Sequence, residues 1–517
     1  MTPFVEKILG IITASAVFIL VFCRGISTPA DPDLWGNVRY GQDILSLGKL
    51  PFADPYSYLT ENVRWINHEW LWETLVGFVY NSAAAPGLVA LKCFCVLSFS
   101  IMLWRFLVRN GFSVMRASEL LLLCEVMLLP STTTLRANVI TCLFFTMELL
   151  ILNKCSKDVA AGRKALWLLA APLLFALWAN THGAFIFGLG IMSAWWLSSV
   201  IEARIAGKLP WRDSATWLLL AILPISFLAT TLNPYGLELW QVLLKTATIP
   251  RPDITEFQPL GITANGIFGW FYLAAVVIGT LSLVFSRRTK RLSDCTLFIA
   301  LACAPELAYR LLPLFVIGWV FLVSPYVADA GSALYQKLKA KPLLLFPLQA
   351  FWISVLLFSA AGFLSQLSGS RPGQMEVSSY MPVQAVSILK KNNVSGKALV
   401  QFNWGHYFIW HLGPKLKVAV DGRRETVYSA DVRAMYANFS TASGDWDALL
   451  EKYPPDLVVM EPKVAASNVM ALKPGWVRAY SDRACSIFVR KDSELQTILG
   501  NLKTTKEPES GPVTYFP

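Results

Sequence analysis

The sequence predicts a polytopic α-helical membrane protein of about eleven transmembrane helices with a C-terminal soluble α/β domain. Three observations carry that reading. Of 517 residues, 55% are hydrophobic and only 15% charged, well outside the composition of soluble domains. Apolar runs long enough to cross a bilayer core recur through residues 1–366. Beyond Gly369 they give way to short β-rich runs. A net charge of +11 would also suit a nucleic-acid partner, but the Lys and Arg residues sit in short loops between apolar runs, where the positive-inside rule puts them. No nucleic-acid partner is predicted. Of nine cysteines only Cys485 falls in the soluble region, so neither a disulfide framework nor a zinc spacing is readable.

The apolar runs are 9–23, 88–107, 120–129, 139–152, 166–178, 185–201, 217–232, 267–285, 297–304, 311–327 and 343–364. The first lacks a small-residue cleavage site and reads as a retained signal anchor. Alternate loops collect the basic residues: Lys7, then Arg105 to Arg116, Lys154 to Lys164, Arg204 to Arg212, Arg287 to Arg291 and Lys337 to Lys341. This bias predicts a cytoplasmic N-terminus, with the long first loop and the C-terminal domain outside.

Within that loop, Leu34, Val38, Gly41 and Leu45 recur at helical spacing, as do Leu71, Leu75, Phe78 and Val79, which predicts two short helices lying on the membrane surface. Strands are predicted at 398–401, 417–420, 457–460, 476–480 and 485–490, with helix-like stretches between them. The expected partition is a transmembrane domain over 1–366, including the first extracytoplasmic loop at 26–85, an extracytoplasmic α/β domain over 367–491, and a polar tail over 492–517.

Orientation sorts the polar residues by face. Asp31, Asp33, Asp54, His68, Glu69, Arg136, Asn180, His182, Asn233, Glu306 and Arg310 fall on the outer side, as do all four histidines of the chain. Polar groups at membrane depth are costly unless they face a cavity or a partner, so a site built from outer span ends and the first loop is expected.

The strings Asp31-Pro-Asp-Leu-Trp35, Asp54-Pro-Tyr-Ser-Tyr58, Asn67-His-Glu-Trp-Leu71, Trp178-Ala-Asn-Thr-His-Gly183, Asn233-Pro-Tyr-Gly236, Trp404-Gly405 and Asp421-Gly-Arg423 resemble those of prokaryotic membrane proteins related to the GT-C glycosyltransferases. More distant relatives include the protein O-mannosyltransferases, aminoarabinose transferases and oligosaccharyltransferases. The resemblance covers most of the chain and implies a GT-C-like fold in the cytoplasmic membrane. It also implies a sugar donor carried on polyprenyl phosphate and an acidic residue just after the first span. Displacing phosphate from an anomeric carbon with inversion needs a carboxylate to take the acceptor's proton and a cation to stabilise the departing phosphate.

Asp33 is the preferred base and Asp31 the second choice, because Asp-Pro-Asp departs from the relatives' usual Asp-Glu pair. Asp33 also precedes a helical pattern and equally suits an N-cap. Glu69, with His68, suits the positive end of the second surface helix. Carboxylate oxygens there leave room for magnesium or manganese with Asp33, but no paired spacing supports a metal, and no cofactor is predicted. Arg136, Arg310 and Lys92 are candidates for the phosphate clamp, against the alternative of snorkelling to headgroups. Glu125, mid-span, is expected to pair internally. Asn180 and His182 suit either sugar hydroxyls or neighbouring helix ends, and Asn233 suits a turn. Trp404, Asp421 and Arg423 enter as substrate-binding candidates through the resemblance. Asn403-Trp-Gly-His-Tyr407 lacks the acidic residue of the oligosaccharyltransferase signature, so a peptide acceptor is not expected.

The expected function is transfer of a sugar from a polyprenyl-phosphate donor to an extracytoplasmic glycan, lipid or protein acceptor. The rival is a non-catalytic transporter or envelope-assembly subunit. A transporter should show related halves and interrupted spans, and the sequence shows neither.

Overall fold

The computed structural model describes residues 3–26, 28–161, 163, 165–207, 214–252, 254–261, 266–339, 354, 357, 360–361, 373–500 and 514–517. The chain divides into two compact units. One comprises Met1–Thr28, Val89–Leu237 and Thr248–Gln374, the other Pro29–Leu88, Glu238–Ala247 and Met375–Pro517. Helices are numbered along the chain from α1 (Pro3–Ile26), α2 (Pro32–Leu47) and α3 (Trp70–Arg109). Then come α4 (Val114–Thr132), α5 (Ala137–Ala160), α6 (Ala171–Thr181), α7 (Phe185–Ile205), α8 (Ser214–Ala229) and α9 (Glu238–Ala247). The last of the numbered set are α10 (Ile267–Phe285), α11 (Leu292–Leu307), α12 (Leu312–Leu322) and α13 (Ser324–Lys339).

In the first unit every residue of α12 is buried, and α4, α5 and α11 pack around it. Small residues set the closest approach: a Cβ at Gly318 would run into the side chain of Leu301 on α11. Outward-facing side chains such as Phe285 and Ile205 are 71% and 78% exposed, a surface suited to lipid rather than water. Among the described residues five helices, α1, α3, α5, α7 and α10, are long and apolar enough to span a bilayer, or six if the pair bent by 51° at the α12–α13 junction counts as one. The runs at 166–178 and 217–232 form shorter apolar helices, and those at 120–129 and 297–304 lie within α4 and α11. The run at 343–364 falls almost entirely outside the described residues, and the expected count of eleven is not reached among those described. Glu125 does pair internally, accepting a hydrogen bond from Ser100 Oγ at 2.5 Å.

The second surface helix and the second span, expected as separate elements, are two helical segments of α3 that meet at a kink. Ala83 and Ala84 break its φ/ψ pattern just before Pro86, whose ring cannot supply the missing N–H.

In the second unit, β1 (Thr28–Ala30) pairs with β2 (Met375–Val377). A five-stranded sheet is built from β3 (Gly396–Val400), β4 (Leu416–Val418), β5 (Leu457–Met460), β6 (Trp476–Ser481) and β7 (Ser486–Arg490), in the order β4-β3-β5-β7-β6. β3 is parallel to β4 and β5, whereas β7 runs antiparallel to β5 and β6. All four residues of β5 are buried, as expected of a central strand covered on both faces.

The first loop is part of this unit. Tyr58 N–H donates to the Val418 carbonyl at 3.1 Å, and Ser57 Oγ donates to the Ala419 carbonyl at 2.8 Å, so the loop extends the β4 edge. The apolar side of α2, expected on the membrane surface, is instead covered by the helix Gly405–Leu412. The expected polar tail also holds structure. Ser493 caps a helix at Glu494–Leu499, Phe516 N–H donates to the Met375 carbonyl at 2.7 Å, and the Phe516 ring lies 4.3 Å from Trp35 and 5.7 Å from Tyr80 between centroids.

α2 and α3 cross through two glycines. A Cβ at Gly41 would meet the Glu73 backbone carbonyl, and one at Gly77 would lie 2.6 Å from the Gly41 carbonyl carbon. Gly41→Ala should therefore cost about 1 to 3 kcal/mol through forced separation of the helices. The melting temperature of the solubilised protein should fall, while Gly190→Ala, with open space at its Cβ position, should leave it unchanged or slightly raised.

Candidate active site

The start of α2 assigns different tasks to its two aspartates. Asp31 has an extended backbone, is only 7% exposed and accepts the Asp33 N–H on Oδ1 at 3.0 Å, so it is the N-cap. Pro32 follows in the position where its missing N–H is no loss. The alternative that Asp33 caps the helix is thereby corrected. Asp33 sits in the first turn with a side chain 41% exposed, at the helix end that favours negative charge.

Behind Asp33 lies a buried charge network. His406, on the first turn of Gly405–Leu412, places Nδ1 3.5 Å from Asp33 Oδ1 and Nε2 3.5 Å from Asp421 Oδ1. Arg423 donates from Nε and Nη2 to Asp421 at 2.8 and 2.6 Å, and from Nη1 and Nη2 to Asp54 at 2.7 and 3.1 Å. Its guanidinium lies 4.9 Å from the Trp65 ring, 5.2 Å from Tyr56 and 5.5 Å from Tyr40. Tyr428 Oη adds a hydrogen bond to Asp421 Oδ2 at 2.7 Å, and Thr60 Oγ1 donates to Asp54 Oδ2 at 2.5 Å.

Electrostatics follow from this packing. Burial opposes charge on His406, but the carboxylates of Asp33 and Asp421 on either side outweigh it and raise its pKa to about 9. Burial would raise Asp421, but Arg423 and His406 hold it well below the usual carboxylate range. Burial likewise opposes charge on Arg423, and Asp421 foremost, with Tyr40 and Asp54, keeps the guanidinium protonated. Arg423 and His406 thus lie among the carboxylates of Asp54, Asp421 and Asp33, of which Asp33 is the part-exposed one.

The other sequence candidates in this unit are placed as follows. Trp404 is 2% exposed and closes the turn between β3 and the helix of His406. Glu69 N–H donates to Asn67 Oδ1 at 3.1 Å in the turn that opens α3, and Glu69 Oε1 is 3.5 Å from His68 Nε2. Asn67 also donates to Glu73 through Nδ2. Asp33 does not join His68 and Glu69 in a ligand set: among the described residues no three His, Cys, Asp or Glu side chains gather as they would around a metal ion.

In the first unit, Arg136 Nη1 and Arg310 Nη1 converge on Glu256, at 3.4 and 3.9 Å from its two carboxylate oxygens. The Phe257 ring beside it lies 4.4 Å from the Arg310 guanidinium and 4.2 Å from that of Arg251. Lys92 is fully buried and donates from Nζ to the Thr133 carbonyl at 2.8 Å, at the C-terminal end of α4. His182 Nδ1 is 2.7 Å from Thr141 Oγ1, which also accepts from Trp178 Nε1 at 3.0 Å. Asn180 Nδ2 donates to the carbonyls of Ala176 and Leu232 at 2.8 and 2.9 Å. Asn233 Oδ1 accepts the Tyr235 N–H at 2.7 Å, which is turn chemistry.

Sequence reading ranked neither His406 nor Asp54 as a site residue. Both had a local signal, since His406 directly follows Trp404-Gly405 and Asp54 opens Asp-Pro-Tyr-Ser-Tyr, but the pairing of Asp54 with Arg423 spans 369 residues. Arg251, Glu256 and Phe257 carried no signal beyond residue type.

No family model matches the sequence, and no curated protein is similar to it. Solved structures match in fold, two of them over most of this chain. One is the apo oligosaccharyltransferase of Archaeoglobus fulgidus, with a TM-score of 0.56 and 13% identity over 89% of this chain and 70% of that one. The other is ArnT of Cupriavidus metallidurans bound to undecaprenyl phosphate, with a TM-score of 0.53 and 13% identity over 93% of this chain and 98% of that one. Both are GT-C enzymes, and the likeness is one of fold.

Two outcomes test the network. Arg423→Met leaves two buried carboxylates without their counter-ion and should cost about 3 to 5 kcal/mol, read as a large fall in melting temperature. His406, raised in the folded state from an ordinary 6.5 to about 9, contributes stability that is fully present below pH 6.5 and lost as pH rises through about 9. The melting temperature of the wild type should decline across that window, and His406→Gln should lack that component of the decline.

Proposed function

We propose that this chain, with the fold of the GT-C enzymes, is a membrane glycosyltransferase that moves one sugar from polyprenyl phosphate to an extracytoplasmic acceptor with inversion. The observation that carries the reading is Asp33: a part-exposed carboxylate in the first turn of α2, backed by a buried charge network and distinct from the residue that caps the helix. In the reaction an acceptor hydroxyl attacks the anomeric carbon, the bond from that carbon to the phosphate oxygen breaks, and the hydroxyl proton passes to the Asp33 carboxylate. Polyprenyl phosphate leaves. Support for that carrier comes from ArnT, whose structure is bound to undecaprenyl phosphate.

Arg136 and Arg310 are assigned to the phosphate, because two guanidinium groups already meet around one carboxylate, that of Glu256, as they would around a phosphoryl group. Lys92, buried on a backbone carbonyl, is not included. The reading places the chain in a prokaryotic cytoplasmic membrane, with the N-terminus inside and residues 375–500 forming a soluble α/β domain outside. The alternation of basic loops supports that orientation.

The test is release of polyprenyl phosphate from candidate lipid-linked sugars by the purified full-length protein. Asp33→Asn should lower turnover about a hundredfold or more without unfolding the protein. Asp31→Asn should retain activity, because asparagine caps a helix nearly as well as aspartate. Arg136→Ala and Arg310→Ala should each raise the donor KM. Full turnover in Asp33→Asn would remove the assignment of the base. A C-terminal reporter active only in the cytoplasm would overturn the orientation.

A further inference from the structure

We propose that His406 is a positioning residue: its ring, braced by Asp421, holds the Asp33 carboxylate in the orientation from which it accepts the acceptor's proton. The inference rests on the assignment of Asp33 as base and adds a residue that the overall likeness in fold does not identify.

Geometry carries it. The two ring nitrogens face one carboxylate each at 3.5 Å, so the ring bridges an exposed acid to a buried one. Nε2 makes no hydrogen bond among the described residues, so what joins the ring to both carboxylates is the positive charge of its doubly protonated form. Asp421 has no room to follow a moving ring: it is wholly buried, and its oxygens are engaged by Arg423 and Tyr428. The ring is itself confined. A Cβ at Gly36 would lie 2.8 Å from its Cδ2. One at Gly422 would lie 2.5 Å from its Cε1 and 2.8 Å from Asp33 Oδ1. Tyr40 closes the slot edge-on, with ring centroids 5.7 Å apart.

The charged and titratable groups around the ring are Asp33 and Tyr40 from α2, Glu73 from α3, and Asp421 and Arg423 from the segment after β4. A rigid series from Asp54 through Arg423, Asp421 and His406 thus ends at the one acid with substantial exposure. An aspartate in the first turn of a helix otherwise has several rotamers open to it. Restricting them saves the orientational cost of reaching a reactive geometry. When the ring loses a proton on the basic side it loses the positive charge that attracts both carboxylates, and the bridge no longer holds.

The experiment measures donor turnover against pH for the full-length protein in lipid nanodiscs, with histidine NMR on the same samples. The chain holds only four histidines. His406→Gln should lower kcat about tenfold to a hundredfold with the donor KM unchanged, and should abolish the fall in rate that the wild type shows as pH rises through about 9. Gly422→Ala should lower kcat in the same way. The NMR readout needs no turnover: in Asp33→Asn the His406 resonance should titrate at lower pH than in the wild type. Wild-type kcat and pH profile in His406→Gln, with Asp33→Asn inactive, would overturn this inference and leave the proposed function standing. An unchanged His406 titration in Asp33→Asn would overturn it even if His406→Gln failed to fold. Full turnover in Asp33→Asn would overturn the proposed base, and the inference with it.

Discussion

A guanidinium sealed from water must be met by anions, and meeting that demand at Arg423 organises the second unit. Asp54 comes from the first loop and Asp421 from the segment after β4, and both bind the guanidinium in bidentate fashion. Desolvating three charges is expensive and is offset only when nearly every donor and lone pair is used, as it is here. Tyr40, Tyr56 and Trp65 close over the group, so the loop that carries them is pinned to the sheet. From that anchor the network extends through Asp421 to His406 and reaches the surface at Asp33. Without the salt bridge the loop would keep its Ser57 and Tyr58 hydrogen bonds to the β4 edge but would leave Asp54 buried without its counter-ion.

The Asp-Pro-Asp string at the start of α2 shows how neighbouring residues of one type come to differ. The first has β-region dihedrals and turns inward to satisfy a backbone donor, the proline fits the opening position, and the second emerges in the first turn with its side chain toward the surface. Two positions of spacing separate a buried capping oxygen from a part-exposed one. Carboxylate type alone could not have separated these roles; helix geometry does.

Local pattern made much of the fold legible. Strands expected at 398–401, 457–460 and 476–480 coincide with β3, β5 and β6 within two residues, because alternation and β-branched content are properties of short windows. The helical spacing of Leu34, Val38 and Gly41 likewise marks α2. What was not legible depends on distant partners. The kink that separates two helical segments within α3 turns on how Ala83 and Ala84 are accommodated before Pro86. Lys92 was a candidate for the phosphate clamp or for snorkelling to headgroups, yet it is buried with its Nζ on the Thr133 carbonyl. In the candidate site, Asp33, Asp421 and Arg423 were visible by residue type and motif. His406 was marked only by following Trp404-Gly405, since nothing within ten residues of it names Asp33 as its neighbour.

The second unit is assembled from three separated stretches, Pro29–Leu88, Glu238–Ala247 and Met375–Pro517, with Phe516 packed on Trp35. Synthesis delivers these pieces in order, so Asp54 and Asp33 emerge long before Arg423 and His406 exist to receive them. The early segment must wait, unfolded or held, through the insertion of most of the hydrophobic helices. Its folding is therefore a late event in the biogenesis of the chain, and premature termination anywhere before Arg423 would strand Asp54 without its partner. Anything fused after Pro517 would sit beside the aromatic cluster that closes over Trp35.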